Sequence, residues 1–357
     1  MEIDPKYMAR ALQIARLGRP GASPNPMVGA VIVADGRIIG EGYHRQAGKP
    51  HAEVNAINSV RPADRPLLQK STLYVTLEPC SHYGKTPPCS KLIINTGIPY
   101  VVIGSLDPFK KVSGRGIAML EAAGITTKIG VLEKECLQLN RRFFTAHTQQ
   151  RPYILIKWAE SGDRFVDRKR IGNNRLAAVF STPATTALSH RLRTEYDAIM
   201  IGANTLRLDN PSLTARHWVG RNPMRIVVSH NSLYALSDKR MLTDGMPVLV
   251  FSDKISTIGF KSGNITEIQI PDTKNPIQSI CYELYRRGVT SLIVEGGPTL
   301  ANQFLEADLW DELRIEQSPR LLSDGIPAPN RPANPDKVKT IDGNRILSFF
   351  KNNLRIV

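Results

Sequence analysis

The sequence predicts a two-domain α/β protein, with a three-layer α/β unit over residues 1–148 and a second α/β unit over 149–357. Three observations predict it. The chain has 357 residues, more than a single hydrophobic core usually supports. Short apolar runs of strand character alternate with stretches of helical spacing, the pattern of strands covered by helices. The alternation breaks at Gln149-Gln150-Arg151-Pro152, after which Tyr153 to Lys157 begins a new buried strand.

Taken in order, Asp4 to Gly18 carries apolar residues at Met8, Ala11, Leu12 and Ala15, with Asp4 as N-cap and Gly18 as stop. Val28–Val33, Asp35-Gly36 and Arg37–Tyr43 form a β-hairpin pattern. Helix 51–59, strand 72–77, a helix after Cys89, strand 100–104, helix 115–123 and a strand near 126–131 complete the first unit. The second has a helix from Pro183 to Glu195, strands at 197–202, 224–229, 247–251 and near 265–270, and helix 276–287. Its strand Ser291–Glu295 runs into Gly296-Gly297-Pro298-Thr299-Leu300 and a helix. That corner accommodates phosphate, because helix N-terminal amides and residues without Cβ let a pyrophosphate approach. The spacing G-x-G-x-x-G is absent, so an orthodox Rossmann fingerprint is not supported.

Lys and Arg total 47 against 32 Asp and Glu, a net charge of +15. Such a field favours nucleic acid, an anionic membrane or a phosphorylated small molecule, without choosing among them. The basic residues are scattered, and the tightest cluster, Arg164 with Arg168-Lys169-Arg170, reads as a solvated loop rather than a nucleic-acid patch. There is no run of 18 apolar residues, and the N-terminus is acidic where a signal peptide would be basic then apolar, so a cytoplasmic enzyme is expected. Cys136 and Cys281 read as reduced, partly buried residues rather than a disulfide framework.

The chemistry is stated by His51-Ala52-Glu53, then Pro79-Cys80, then Cys89. Imidazole and thiolate suit Zn²⁺, and three protein ligands leave a position open for a water. Zinc deaminases acting on bases carry His-x-Glu followed by Pro-Cys-x-x-Cys, the Glu moving protons without binding metal. On that pattern His51, Cys80 and Cys89 are ligands and Glu53 the acid/base. The bland alternative is a chance His-x-Glu beside inert core cysteines. It is weakened because His51 opens a helix while Cys80 follows a strand, so a metal can sit between two elements. The eight residues from Ser81 to Pro88 between the cysteines depart from the two of the base-deaminase pattern. Asn25, in the rigid turn Ser23-Pro24-Asn25-Pro26, is either a turn-former or an amide presented to a base.

Thr76-Leu77-Glu78-Pro79-Cys80-Ser81-His82-Tyr83-Gly84-Lys85-Thr86-Pro87-Pro88-Cys89, taken with His51-Ala52-Glu53, closely resembles the bifunctional riboflavin-biosynthesis deaminase-reductase family, in which the long cysteine spacing replaces the short one. Leu206 to Arg216 and Val294 to Leu300 are similar to that family's reductase motifs, so the match spans nearly the whole chain. The resemblance implies a cytidine deaminase-like N-terminal domain and a dihydrofolate reductase-like C-terminal domain. The first would remove the 2-amino group of a diaminopyrimidinone ribosylamine 5′-phosphate with Zn²⁺, and the second would reduce the ribose to a ribityl chain with NADPH. By the same resemblance, Asn25, His44, His82 and Lys85 would contact the deaminase substrate. Lys157, Asp209 and Glu295 would lie at the hydride-transfer site, with Arg193, Leu213, Arg216 and Glu295 on the reductase substrate. Ala159, Thr205, Asp209, Gly297, Pro298, Thr299, Leu300, Ala301, Asn302 and Gln303 would hold the cofactor. The chain departs from the family pattern at Trp158 to Arg164 and from Asn173 to Phe180, which touches Ala159, Ala177 and Val179. The partner expected is a phosphorylated pyrimidine, with no nucleic acid or membrane, in a homo-oligomer. The alternative is a tRNA-type adenosine deaminase with a basic C-terminal nucleic-acid-binding domain. The net charge favours that alternative; the long cysteine spacing and the second-half motifs oppose it.

Overall fold

The structure, a computed structural model, describes residues 3–19, 21–83, 87–108, 113–170, 176–255, 263–270 and 272–351. The chain divides into two compact units, Met1–Gln150 and Arg151–Val357.

The first unit is a five-stranded sheet of β1 (Gly29–Ala34), β2 (Arg37–Tyr43), β3 (Thr72–Val75), β4 (Tyr100–Ile103) and β5 (Thr126–Ile129). The spatial order is β2-β1-β3-β4-β5. β1 is antiparallel to β2 and β3, whereas β3, β4 and β5 run parallel. The hairpin turn places Asp35 at φ +50° and Gly36 at φ +71°, the left-handed pair that matches strand twist in a two-residue connection. Among the described residues, six α-helices accompany the sheet: α1 (Pro5–Ala15), α2 (Ala52–Ser59), α3 (Cys89–Thr96), α4 (Arg115–Ala122), α5 (Glu133–Leu139) and α6 (Arg141–Gln149). Strand residues alternate between two cores, as a period of two requires. Ile32, Leu73 and Val101 pack with Ala56, Ile93 and Leu120 of α2, α3 and α4. Val31, Tyr74 and Val102 pack with Met8 and Leu12 of α1 and Cys136 of α5. Each fully buried Leu or Ile contributes about 1.5–3 kcal/mol.

The second unit contains β6 (Tyr153–Glu160), β7 (Phe165–Asp167), α7 (Pro183–Glu195), β8 (Ala198–Gly202), α8 (Ala203–Asp209), β9 (Met224–Ser229), α9 (Arg240–Thr243), β10 (Val248–Ser252) and β11 (Ile265–Gln269). It continues through α10 (Pro276–Arg286), β12 (Ser291–Val294), α11 (Pro298–Glu306), β13 (Glu312–Gln317), β14 (Ile326–Pro327), β15 (Lys337–Ile341) and β16 (Asn344–Phe350). The main sheet has the order β11-β10-β9-β8-β12-β6-β13-β16-β15. β11 through β13 in that order are parallel, and β16 and β15 close the edge antiparallel. Ile154, Ile156 and Trp158 face α10 and α11, while Tyr153 and Leu155 face the side of Leu192 and Leu206 on α7 and α8. Lys157 and Ala159 therefore share the α7 face of β6.

Three expectations change. Strand 72–77 stops at Val75, so Thr76 and Leu77 already belong to the turn. Cys136 and Cys281 are fully rather than partly buried, and burial pushes each thiol up to about 12. Arg170 is not on a solvated loop: its side chain is only 9% exposed and its guanidinium joins Asp167 and Asp209, each at 2.6 Å.

β6 is anchored by a buried ion pair. Arg151 donates to both carboxylate oxygens of Asp311 at 2.6 and 2.8 Å, and Asp311 also accepts from the Ile154 amide at 2.8 Å. Asp311→Ala strands the guanidinium, so the C-terminal unit should lose roughly 3–5 kcal/mol of stability in urea unfolding. A loss under 1 kcal/mol would rule out this anchoring role.

Candidate active sites

In the first unit, three donors converge from two helix starts and one turn. His51 is the N-cap of α2, Cys89 is the first residue of α3, and Cys80 lies on the turn after β3. Their ligand atoms all lie within 4.8 Å of one another. His51 Nδ1 stands 3.6 Å from Cys80 Sγ and 3.3 Å from Cys89 Sγ. Ordinary Zn–N and Zn–S lengths place two donors of a tetrahedral zinc about 3.5 Å apart. The donor set therefore fits zinc in type and in spacing.

Local packing explains the convergence. A Cβ on Gly42 would lie 2.2 Å from the Ala56 nitrogen and 2.6 Å from the Ala52 oxygen, so α2 rests on β2 only because residue 42 is glycine. The cysteines are joined at the base of their connecting segment: Cys89 N donates to Cys80 Sγ at 3.3 Å, while Ser90 N and Oγ donate to Cys80 O at 3.2 and 2.9 Å. Buried Glu78 accepts from the amides of Asp107, Gly114 and Gly116, tying the segment after β4 to this turn. A hydrogen bond from the Cys89 thiol, helped by His51, pulls Cys80 down to about 4, and the same shared proton pushes Cys89 upward.

Glu53, in the first turn of α2, is 3% exposed. Burial, then the nearby Cys80 sulfur, raises its carboxyl above the usual range, which suits a group that exchanges protons. His44 is buried, with Nδ1 3.2 Å from Pro50 O and Nε2 3.2 Å from Asn25 Nδ2. Its ring meets His51 edge to face at 5.3 Å. Burial lowers its pKa; a neutral ring that donates from Nδ1 to Pro50 accepts at Nε2 from the Asn25 amide, which leaves Asn25 Oδ1 turned outward. His82 is exposed, and Lys85 lies outside the described residues.

The second unit gathers a different cluster beyond the ends of its parallel strands. Glu295, just past β12, sits 3.5 Å from Lys157 Nζ and accepts from Arg193 at 2.6 and 3.2 Å. Burial raises its pKa, but Arg193 and then Lys157 outweigh that, and the carboxylate stays below its ordinary value. Arg193 also donates to Thr214 O at 3.0 Å. Arg216 is exposed, while Leu213, at φ +54°, buries its side chain in the core. Asp209 is exposed at the end of α8 and pairs with Arg170 rather than with Lys157. Thr205 Oγ1 would touch a Cβ on Gly297 at 3.2 Å, so Thr205 and the glycine corner form one cradle. Gly297 is the N-cap of α11 at φ +49°. Leu300 and Ala301 point into the core, Thr299 is exposed, and Pro298, Asn302, Gln303 and Ala159 are half-buried.

The sequence reading missed His190, which lies three residues before Arg193 and so on the same face of α7. It is 3% exposed, accepts from the His217 amide at Nδ1, and meets the His217 ring at 4.6 Å.

This architecture defines a zinc-dependent deaminase unit followed by a reductase unit. Residues 1–105 match the cytidine and deoxycytidylate deaminase zinc-binding region, and 152–336 match the RibD C-terminal domain. The riboflavin biosynthesis protein RibD of Aquifex aeolicus is 37% identical over 329 residues, covering 91% of this chain and 89% of that one. The Escherichia coli RibD is 35% identical, covering 89% and 88%. A Thermotoga maritima structure, a diaminohydroxyphosphoribosylaminopyrimidine deaminase/5-amino-6-(5-phosphoribosylamino)uracil reductase, superposes with TM-score 0.83 at 35% identity, covering 96% and 97%. The chain belongs to the RibD family of bifunctional riboflavin-biosynthesis deaminase-reductases. Where the tRNA deaminase alternative expected a nucleic-acid-binding domain, the chain carries the family's reductase domain.

Two outcomes follow from this geometry. Gly42→Ala should displace α2 and lower zinc content in metal analysis while the C-terminal unit still unfolds at its wild-type urea concentration; full zinc occupancy would sink the packing argument. Burial, then Arg193 and Arg216, depress His190 to about 4. The unfolded chain, with an ordinary histidine, takes up this proton first, so His190 supports stability above about pH 6.5. That support is lost as pH falls toward 4. Urea unfolding of His190→Gln across this range should show a shallower pH slope, and an unchanged slope counts against the assignment.

Proposed function

We propose that the N-terminal unit hydrolyses the 2-amino group of 2,5-diamino-6-ribosylamino-4(3H)-pyrimidinone 5′-phosphate and that the C-terminal unit reduces the ribosyl group to ribityl with NADPH. The observation that carries the first step is the donor triangle beside the buried carboxyl of Glu53. His51, Cys80 and Cys89 hold zinc, which when bound supplies Lewis-acid activation of water. Glu53 would accept one proton from the attacking water and pass it to the ring nitrogen, then carry the remaining proton of the added hydroxyl to the departing amine. Asn25, oriented by His44, offers Oδ1 to an N–H of the base; His82 and Lys85 reach the remainder of the substrate, Lys85 as a point charge for phosphate.

In the second unit, NADPH supplies hydride. Thr205, Asp209, Ala159 and Gly297 through Gln303 hold it, the glycine corner admitting a pyrophosphate against the start of α11. Lys157 and Glu295, with Asp209, manage the protons of ring opening. Arg193 holds Glu295 in place, and Arg216 with the main chain of Leu213 meets the sugar phosphate. The domain boundary at 148–149, a cytoplasmic setting and a homo-oligomer without nucleic-acid or membrane partner belong to the same reading. No described helix is long and apolar enough to cross a membrane.

A coupled assay with the diaminopyrimidinone phosphate, following ammonia and NADPH together, tests both steps. Glu53→Gln should keep its zinc and lose about 10²–10⁴-fold in ammonia release. Lys157→Ala should leave ammonia release intact and abolish substrate-dependent NADPH oxidation. Unchanged rates in these variants refute the assigned roles.

A further inference from the structure

Asn140 joins α5 to α6, closing the first helix and opening the second. Its main chain serves both: the N–H donates to the carbonyls of Cys136 and Leu137, and the carbonyl accepts from Phe144 N at 3.0 Å. Asparagine is among the residues most favoured at a helix start, where its side-chain oxygen accepts from an amide of the first turn. At Asn140 that bond is not made. Helix capping therefore does not account for its side chain.

Both ends of that side chain go instead to a single residue 113 positions earlier. Asn140 Oδ1 accepts from Met27 N at 2.8 Å, and Nδ2 donates to Met27 O at 2.8 Å. A carboxylate, which only accepts, would leave Met27 O without this donor. Asn140 is 3% exposed, and the buried Cys136 and Phe144 on either side of it hold the corner in the core. The clamp is thus fixed at its own end.

Met27 stands two residues after Asn25, with Pro26 between them. Proline locks its own φ and keeps the residue before it out of the helical region, so few soft dihedrals separate Met27 from Asn25. Beyond Met27, Val28 O accepts from His44 N at 2.9 Å, and Gly29 N donates to Thr76 Oγ1 at 3.2 Å. A position imposed on Met27 is therefore passed back to Asn25, whose Nδ2 lies 3.2 Å from His44 Nε2.

We propose that Asn140 is a positioning residue of the deaminase site: by clamping Met27 it fixes the Asn25 segment and sets where Asn25 Oδ1 meets the pyrimidine. The consequence for substrate rests on the deaminase reading above; the placement of Asn25 does not.

The test uses zinc-loaded full-length protein containing isotope-labelled asparagine, with Asn25→Ala identifying the side-chain amide signal of Asn25 in NMR spectra. Asn140→Ala should keep its zinc and shift that signal. It should also raise the KM for ammonia release about tenfold while kcat changes less than about threefold, the pattern of lost uniform binding. Because it acts through Asn25, adding it to Asn25→Ala should cost less than about twofold more. Should the alanine variant not fold, Asn140→Asp, of the same size and still able to accept from Met27 N, gives the same readings. An unmoved Asn25 signal, a fall in kcat at unchanged KM, or losses that multiply in the double variant would each reduce Asn140 to a stability residue and overturn the proposal. A shifted Asn25 signal in a protein whose wild type releases no ammonia supports the placement of Asn25 and overturns the deaminase reading.

Discussion

The contact between β2 and α2 at Gly42 is the constraint on which the metal centre depends. A helix can start beside the sheet with His51 as its N-cap only if its first turn lies directly on the strand, and a side chain at residue 42 would collide with that turn's backbone. Everything downstream inherits this placement. Glu53 is buried because the turn is pressed inward, and the upward shift of its carboxyl follows from that burial. The reductase cluster obeys the same logic with a different device. β6, pinned at its start by Arg151 and Asp311, projects Lys157 toward Glu295 beyond the neighbouring strand end.

Burial pushes the carboxyl of each site upward, but the neighbouring charges decide the outcome differently. Glu53 has no cation hydrogen-bonded to it among the described residues, so desolvation dominates and favours the neutral acid. Glu295 is somewhat less enclosed, its side chain 10% exposed, and the guanidinium of Arg193 and the ammonium of Lys157 beside it hold it below its ordinary value. The first carboxyl is set by its lack of hydrogen-bonded cationic partners among the described residues, and the second by Arg193 and Lys157.

Much of this was legible in the sequence. Periodicity located the hairpin, the metal-bearing helices and most of the parallel strands, because those segments bury one face or both and their apolar spacing records it. α5 and α6 left little trace, since charged residues interrupt their short apolar stripes. The antiparallel edge of β13, β16 and β15 was also missed: β13 carries Glu312, Arg314 and Glu316 among its apolar residues, and β15 is largely exposed. The three donors that the structure brings together were readable because spacing and residue type coincide. His190 and the pairing of Asp209 with Arg170 were not, because they arise from tertiary neighbours that no local pattern encodes.

The hydrogen bonds joining Cys80 to Cys89 and Ser90 close the base of the inter-cysteine segment before its tip is reached. Closing a somewhat longer loop costs little additional entropy once its ends are fixed. The span between the two ligands is therefore a place where length and composition can drift without moving a donor atom. An insertion between those fixed ends could alter what the segment presents without displacing the donor atoms.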